Sequence, residues 1–328
     1  MVRRARVREA VPPVDAFAGT RRGRPVRMRV KWSEAVTAFA VRPRAAAVEL
    51  LRPANLVTAA ADVLAGFAVA GLANPRVLPW LLLSTVALYG GGVVLNDVFD
   101  ADLDSLERPE RPIPSARISR GAASLLGTSL LSVGIASALV ASPVSCLLAV
   151  SIAVSAVLYD SWGKHQPGIA ALSMGLCRGL NMLLGVSAVS SVLAQRWWIA
   201  TIPVLFVAAI TTVSAGEVRG GDRRSAALAL ALMALVVVAL LSLLLAAPKS
   251  WAVLPFAAAF AWRVVPPFVR VYLLPDAERS RTAVRTGVLN LIVLDSAIAA
   301  AFGGMLFGAV VVVLLAVAAL LARLFAVT

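Results

Sequence analysis

The sequence predicts an all-α fold, a polytopic membrane bundle of nine or ten transmembrane helices. Hydrophobic residues make up 60% of the 328 residues and charged residues only 15%, whereas soluble domains have about 45–50% and about 25%. The apolar residues are gathered into runs of roughly 20, the helix length that crosses a bilayer core. The formal net charge is nevertheless +14, and the basic residues are concentrated in alternate loops, as is typical of membrane proteins.

Residues 1–52 differ from the rest of the chain. They hold 13 Lys or Arg residues against four acids. The stretch from Val2 to Arg29 is rich in proline and glycine and has no apolar periodicity, so we expect a disordered tail. The stretch from Trp32 to Leu51 has helical character, and we expect it to lie along the membrane surface. We therefore divide the chain into a basic cytoplasmic tail with an interfacial helix, 1–52, and a transmembrane domain, 53–328.

Ten apolar runs are candidates for transmembrane spans: 55–73, 79–98, 121–140, 143–160, 168–192, 197–216, 225–246, 250–272, 286–304 and 308–326. The last two could be one helix broken at Gly303 and Gly304, which leaves nine or ten. When the loops are assigned alternately to two sides, 26 of the 31 Lys and Arg residues fall on the side of the tail. Three fall on the other side: Arg76, Arg196 and Lys249. The positive-inside rule then predicts a multi-pass protein of the plasma membrane with a cytoplasmic N-terminus.

The second predicted span ends in a dense group of acids, Asn96-Asp97-Val98-Phe99-Asp100-Ala101-Asp102-Leu103-Asp104. On a helix, Asn96, Asp100 and Asp104 share one face, with Asp97 beside them. Carboxylates at a membrane edge are costly unless they are neutralised. Because carboxylates without nearby His or Cys suit Mg²⁺, which bridges them to phosphates, the spacing favours a magnesium site. The alternative is a solvated acidic helix end.

Arginines follow the acids in the segment Arg108-Pro109-Glu110-Arg111-Pro112-Ile113-Pro114-Ser115. Guanidinium groups pair well with phosphate oxygens, and the prolines end the helix and define a loop. A phosphate-binding loop and an acidic metal-binding face on the same side of the membrane predict a diphosphate site.

The run Asn96-Asp97-x-x-Asp100-x-x-x-Asp104, followed by Arg-Pro-Ile-Pro-Ser, resembles the first aspartate-rich motif of the UbiA superfamily of intramembrane prenyltransferases. The resemblance extends from about Arg52 to at least Ala301 and includes three shorter segments: Arg52-Pro53-x-Asn55, Tyr159-Asp160 with Lys164, and Arg178-Gly179-x-Asn181. It implies that Asp97, Asp100 and Asp104 hold Mg²⁺ on a prenyl diphosphate. It also implies a set of residues that bind the diphosphate or assist there: Asn55, Asn96, Arg108, Arg111, Tyr159, Lys164, Arg178 and Asn181.

The second aspartate-rich motif of the superfamily is thinned in this chain. The corresponding stretch, 214–222, retains only Glu217 and Asp222 as acids, and we predict both as further metal ligands. Together with Asp62 in the first span, this pattern resembles the EboC-like branch of the superfamily. Asp62 and Asp295 are acids inside spans and so are candidates for function, with a structural role as the alternative. For Arg178, substrate contact competes with a structural ion pair.

The resemblance implies a membrane prenyltransferase, in which diphosphate departs with the help of Mg²⁺ and a lipophilic or aromatic acceptor captures the prenyl carbocation. One alternative is the transfer of a phosphoribosyl group to a polyprenyl phosphate on the same fold. Another is a non-catalytic lipid-binding or transport protein. A nucleic-acid partner is disfavoured, because the basic residues flank the apolar runs and lack interleaved aromatic residues.

Overall fold

The structure, a computed structural model, describes residues 46–166, 168–219 and 222–324; within these ranges the side chains of His165 and of residues 215–219 are not described. Most of the predicted tail and interfacial helix, as well as residues 325–328, therefore lies outside the described residues. The described residues belong to one compact unit. The division at residue 52 stays a prediction.

The described residues are helical almost throughout and contain no strand, which confirms the predicted all-α class. A short helical segment, 46–51, precedes the first full helix. The helices are α1 (Pro53–Val69), α2 (Leu78–Phe99), α3 (Ala101–Glu107), α4 (Arg120–Ala141), α5 (Pro143–Ser161), α6 (Ile169–Val186), α7 (Ser190–Arg196), α8 (Thr201–Arg219), α9 (Arg223–Ala246), α10 (Val253–Leu273), α11 (Ala277–Gly303) and α12 (Met305–Leu324). Short 3₁₀ turns cover Gly163–His165, Trp197–Ala200 and Ser250–Ala252.

Nine helical stretches in the described part of the chain are long and apolar enough to cross a membrane. The apolar helix α1, with 17 residues, is shorter. The last two predicted spans are separate helices, because Gly304 between α11 and α12 has φ 96°, a conformation that glycine adopts readily. The structure therefore agrees with the prediction of nine or ten spans.

Helix α11 begins at Ala277, nine residues before the predicted span at 286. The side chain of Asp276 caps its first turn by accepting a hydrogen bond from the backbone N–H of Arg279 at 2.7 Å. Glu278 lies in that first turn, where the helix dipole favours a negative charge. The polar first turns extend the helix beyond its apolar part, and apolar periodicity alone does not detect such an extension.

Glycines allow α1 and α6 to pack with their backbones in contact. A Cβ atom on Gly66 would lie 2.1 Å from the carbonyl oxygen of Met182, and one on Gly185 would lie 2.2 Å from that of Val63. Small residues commonly permit such close approach between membrane helices. No other residue type fits at either position without moving a helix.

The two ends of the bundle carry different polar contacts. At one end, which we call the Lys249 end, Arg196 donates to the carbonyl oxygen of Val69 at 2.7 Å, and Lys249 donates to that of Gly303 at 3.1 Å. At the opposite end, which we call the charged end, α1 starts and α2 finishes. Two of the three basic residues predicted for the non-cytoplasmic side thus lie together, away from the acidic run.

Candidate functional site

The acidic run lies at the charged end, where α2 is followed directly by α3. Asp100 is the residue between the two helices, and its backbone N–H donates to the carbonyl oxygen of Asn96 at 2.9 Å. The backbone N–H of Asp104 in turn donates to the carbonyl oxygen of Asp100 at 2.8 Å. The helical course is therefore maintained, and Asn96, Asp100 and Asp104 share a face as predicted. The side chains of Asp97 and Asp104 are buried, with exposed fractions of 7% and 6%.

Three basic side chains from different segments neutralise these acids. Arg52 Nη2 lies 2.7 Å from Asp97 Oδ1. Arg111 Nη1 lies 2.7 Å from Asp104 Oδ2 and 3.4 Å from Asp97 Oδ1. Removing one member of such a buried pair leaves an uncompensated charge, so each ion pair of this cluster depends on both of its partners. The third pair, from Lys164 to Asp100, has a distance of 2.6 Å.

The backbone of Arg52 is strained where it joins this cluster. Its φ of 47° is in the left-handed region, which costs a non-glycine residue of order 1–3 kcal/mol. Its carbonyl accepts the backbone N–H of Asn55 at 2.9 Å, immediately before α1 continues. This conformation accompanies the turn that brings the guanidinium to Asp97.

Sequence reasoning did not assign two members of this site, Asp160 and Arg52. Asp160, near the end of α5, is 4% exposed and accepts a hydrogen bond at 2.7 Å from the side-chain amide of Asn96. Its carboxylate is the fourth in this cluster, beside those of Asp97, Asp100 and Asp104. The signal available in the sequence was its position as an ionisable residue at the end of an apolar run, where acids are rare unless they have a function.

The arginine-containing loop is anchored to the segment before α1. Arg117 Nη2 donates to Glu49 Oε1 at 3.0 Å, and this hydrogen bond raises the pKa of the Arg117 guanidinium above its usual value. Within the loop, the side chain of Arg111 reaches the acids. Arg108 is exposed at the end of α3, and its side chain makes no hydrogen bond or ion pair with described residues. The sequence predicts the same role for Arg108 and Arg111, but their environments in the structure differ.

Arg178 lies deeper in the bundle and pairs with Asp62, which is the structural alternative considered from the sequence. Its Nε is 3.2 Å from Asp62 Oδ2, and both side chains are buried, at 5% and 0% exposed. Asn181 also donates to Asp62, at 2.8 Å. Asn55 is buried in the first turn of α1, and Tyr159 precedes Asp160 in α5. The diphosphate-binding roles predicted for these residues stay predictions.

The thinned second motif is only partly described. Glu217 is in α8, and its side chain lies outside the described residues. Asp222 is exposed and caps α9 by accepting hydrogen bonds from the backbone N–H groups of Arg224 and Ser225, at 3.2 and 3.1 Å. These backbone hydrogen bonds lower the pKa of the Asp222 carboxyl. Metal binding by Glu217 and Asp222 stays a prediction.

The donor set at the charged end fits a hard divalent cation, because carboxylate oxygens are the ligands that Mg²⁺ prefers. The carboxylates of Asp97, Asp100 and Asp104 line one face, with Asp160 opposite Asn96. In the described side chains, no three acids, histidines or cysteines converge closely enough to form a ready metal centre. The carboxylates of Asp97, Asp104 and Asp100 each contact a basic side chain of the protein itself.

The described helices form a membrane bundle, and one end of it carries carboxylates paired with cations. The fold and the site therefore define a polytopic membrane protein with a charged site at the edge of its apolar core. The sequence profile of the UbiA prenyltransferase family matches residues 56–292. This chain belongs to that family.

Curated relatives include two archaeal proteins named digeranylgeranylglyceryl phosphate synthase. That of Natronomonas pharaonis is 31% identical over 172 residues, which cover 52% of this chain and 60% of the relative. That of Methanothrix thermoacetophila is 38% identical over 148 residues, covering 44% and 54%. The matched part of the chain thus spans somewhat more than half the length of these relatives.

Solved structures with the same fold are UbiA homologues. One from Archaeoglobus fulgidus, bound to DMAPP and Mg²⁺, has a TM-score of 0.63 at 17% identity, covering 81% of this chain and 99% of the other. The apo form of a homologue from Aeropyrum pernix K1 has a TM-score of 0.62 at 18% identity, covering 76% and 97%. At these identities the likeness establishes the fold.

Proposed function

We propose that this protein is an integral membrane prenyltransferase that moves a prenyl group from a prenyl diphosphate to an acceptor, with Mg²⁺ as its cofactor. The observation that carries the proposal is the cluster at the charged end, where Asp97, Asp100 and Asp104 are held against Arg111 and Lys164. Carboxylates for a divalent cation and cations for phosphate oxygens are the two components that a diphosphate site needs.

In this proposal the three aspartates hold Mg²⁺, which supplies charge stabilisation to the departing diphosphate. Arg111 and Lys164 leave their carboxylates and pair with phosphate oxygens, so the positive groups already present serve the leaving group. The C–O bond of the donor breaks, diphosphate keeps the electron pair, and the acceptor forms the new bond and loses a proton. The apolar bundle excludes water that would otherwise capture the carbocation.

Known relatives support the donor class. The Archaeoglobus fulgidus homologue was solved with DMAPP and Mg²⁺ and also with GPP and Mg²⁺. The names of the curated relatives support an acceptor with a glycerophosphate headgroup and a free hydroxyl. We propose this acceptor class for the chain, in place of the broader lipophilic or aromatic acceptor predicted from the sequence.

The donor is tested with the purified full-length protein in lipid vesicles. Radiolabelled geranyl diphosphate with Mg²⁺ and a monoalkyl glycerophosphate should yield a labelled lipid and free diphosphate. In a parallel reaction, phosphoribosyl diphosphate with polyprenyl phosphate should yield no labelled lipid. Transfer only in the second reaction would establish the phosphoribosyl alternative, and donor binding without turnover in either reaction would favour the non-catalytic one.

We also propose that the N-terminus and the charged end are cytoplasmic. The distribution of 26 basic residues on one side against three on the other supports this orientation. A cytoplasmic charged end would give a water-soluble diphosphate group direct access to the aspartates, while the prenyl chain enters the apolar interior.

A further inference from the structure

We propose that Asp62 and Asp295 share one bound proton in the interior of the helix bundle, so that together with Arg178 they form a group without net charge. Asp62 is on α1, Arg178 on α6 and Asp295 on α11. The reaction proposed for the aspartates of α2 does not use this proton, so the two proposals stand or fall separately.

The two carboxyl groups have no access to water. Both side chains are 0% exposed, and α1 packs against both α6 and α11 at this position in the bundle. Burying an ionised carboxylate without a counter-ion is strongly unfavourable. Each of the two groups therefore requires either a positive partner or a proton.

One oxygen of Asp62 has both a cation and a hydrogen-bond donor. Its Oδ2 lies 3.2 Å from Arg178 Nε and accepts a hydrogen bond at 2.8 Å from the side-chain amide of Asn181. The same amide donates to the carbonyl oxygen of Ala59 at 2.9 Å. Because that carbonyl can only accept, the N–H groups of Asn181 face α1. Asp62 Oδ2 is thus held as the ionised oxygen of the pair.

The other three carboxyl oxygens have no donor. They are Asp62 Oδ1 and both oxygens of Asp295, and none has a hydrogen-bond partner among the described residues. Asp295 lies beside Asp62 as its hydrogen-bond partner, yet two ionised carboxylates present only acceptors to each other. A proton on Asp295 supplies the donor that is missing, because its O–H can then donate to Asp62.

The charges balance only when that proton is present. Arg178 is the one positive group that acts on either carboxyl in the described part of the chain, and a guanidinium stays protonated. With both carboxyls ionised, one negative charge would be buried in excess. With one shared proton, Arg178 balances the single remaining carboxylate.

The guanidinium of Arg178 has no other anion nearby to change this count. Both Nη groups lack a hydrogen-bond partner among the described residues. The guanidinium carbon lies 5.6 Å from the centre of the Tyr89 ring, an arrangement that stabilises a cation without adding a negative charge. Asp62, Asp295 and Arg178 therefore form a closed unit of charge that spans three helices.

Infrared spectroscopy detects the bound proton directly, because a protonated carboxyl group has a C=O stretching band that a carboxylate lacks. The full-length protein is measured in a detergent without ester groups at neutral pH, where an ordinary aspartate is ionised. We expect the band in the wild type and its loss in Asp295→Asn. Asp62→Asn should lose it as well, because the one remaining carboxylate then pairs with Arg178. The matched control, Asp102→Asn, replaces an exposed aspartate that pairs with Arg120 and should keep the band.

Each other result would overturn the proposal. Retention of the band in both Asp295→Asn and Asp62→Asn would place the proton elsewhere, and its loss in Asp295→Asn alone would show a proton that is not shared. A wild-type band that appears only when choline replaces Na⁺ would show that a metal ion occupies the site. The wild type labelled with ¹³C at the aspartate carboxyl gives a test without any variant, since the absence of a band that shifts with the label would exclude a protonated aspartate.

Discussion

Lys164 Nζ lies 2.6 Å from Asp100 Oδ1, which links the 3₁₀ turn after α5 to the junction of α2 and α3. The two residues are 64 positions apart in the chain. Their contact places a mostly buried ammonium group beside a carboxylate that we assign to Mg²⁺. In the proposed function, a diphosphate would compete for this lysine and free the carboxylate, so that donor binding would be coupled to metal binding.

Substitution of Lys164 should therefore weaken donor binding. We expect Lys164→Met to raise KM for geranyl diphosphate at least about tenfold, since a charge-assisted contact contributes about 1.5–3 kcal/mol. Steady-state kinetics at saturating Mg²⁺ measure this. Lys249→Met, at the opposite end of the bundle, is the control and should leave KM unchanged. Equal KM values for Lys164→Met and the wild type would exclude Lys164 from the diphosphate site.

The two arginines of the loop should differ. Arg111 contacts Asp97 and Asp104, whereas Arg108 is exposed. We expect Arg111→Ala to lower kcat/KM for the donor about a hundredfold or more, because it removes a guanidinium and leaves buried carboxylates uncompensated. Arg108→Ala should cost less than about tenfold. The reverse order would show that the loop rearranges before the donor binds.

The buried ion pair between Arg178 and Asp62 leads to a prediction about stability. Arg178→Met leaves Asp62 buried without its cation and should destabilise the fold by about 3–5 kcal/mol. Asp295→Asn should change stability by less than about 1 kcal/mol or raise it, because its new N–H can donate to Asp62. Thermal unfolding in detergent, followed by tryptophan fluorescence, compares the two variants. An equal loss of stability in both would mean that Asp295 has a stabilising charge partner.

The predicted orientation can be checked with a membrane-impermeant thiol reagent on intact cells, in a background in which Cys146 and Cys177 are replaced by serine. A Gln195→Cys variant, with the new thiol exposed near the Lys249 end, should be labelled. Cysteine at Ser105, exposed at the charged end, should be labelled only after the cells are opened. The opposite pattern would place the charged end outside the cell.

Features governed by local spacing could be predicted from the sequence. Apolar runs identify most helices, and the four-residue spacing of Asn96, Asp100 and Asp104 identifies their common face. The start of α11 was missed, because a capped polar extension carries no apolar signal. Local spacing does not show which residues that are distant in the chain contact each other.

Contacts between distant residues depend on how helices pack, which single-sequence patterns do not encode. Arg52 and Asp97 are 45 positions apart, and Asn96 and Asp160 are 64 positions apart. The partner of Arg178 is likewise set by the glycine contact between α1 and α6, which brings Asp62 within 3.2 Å. The sequence could identify these polar residues as costly in a membrane, but their pairing required the three-dimensional arrangement.

The central claim is that the aspartates of α2 and the α2–α3 junction support Mg²⁺-dependent cleavage of a prenyl diphosphate. It is tested most directly by measuring diphosphate release from geranyl diphosphate, with and without Mg²⁺, for Asp97→Ala and Asp100→Ala. Asp102→Ala is the control, since Asp102 is exposed and pairs only with Arg120 among the described residues. We predict release by the wild type and Asp102→Ala that requires Mg²⁺, and loss of release in the other two. Full activity of both Asp97→Ala and Asp100→Ala would contradict the account.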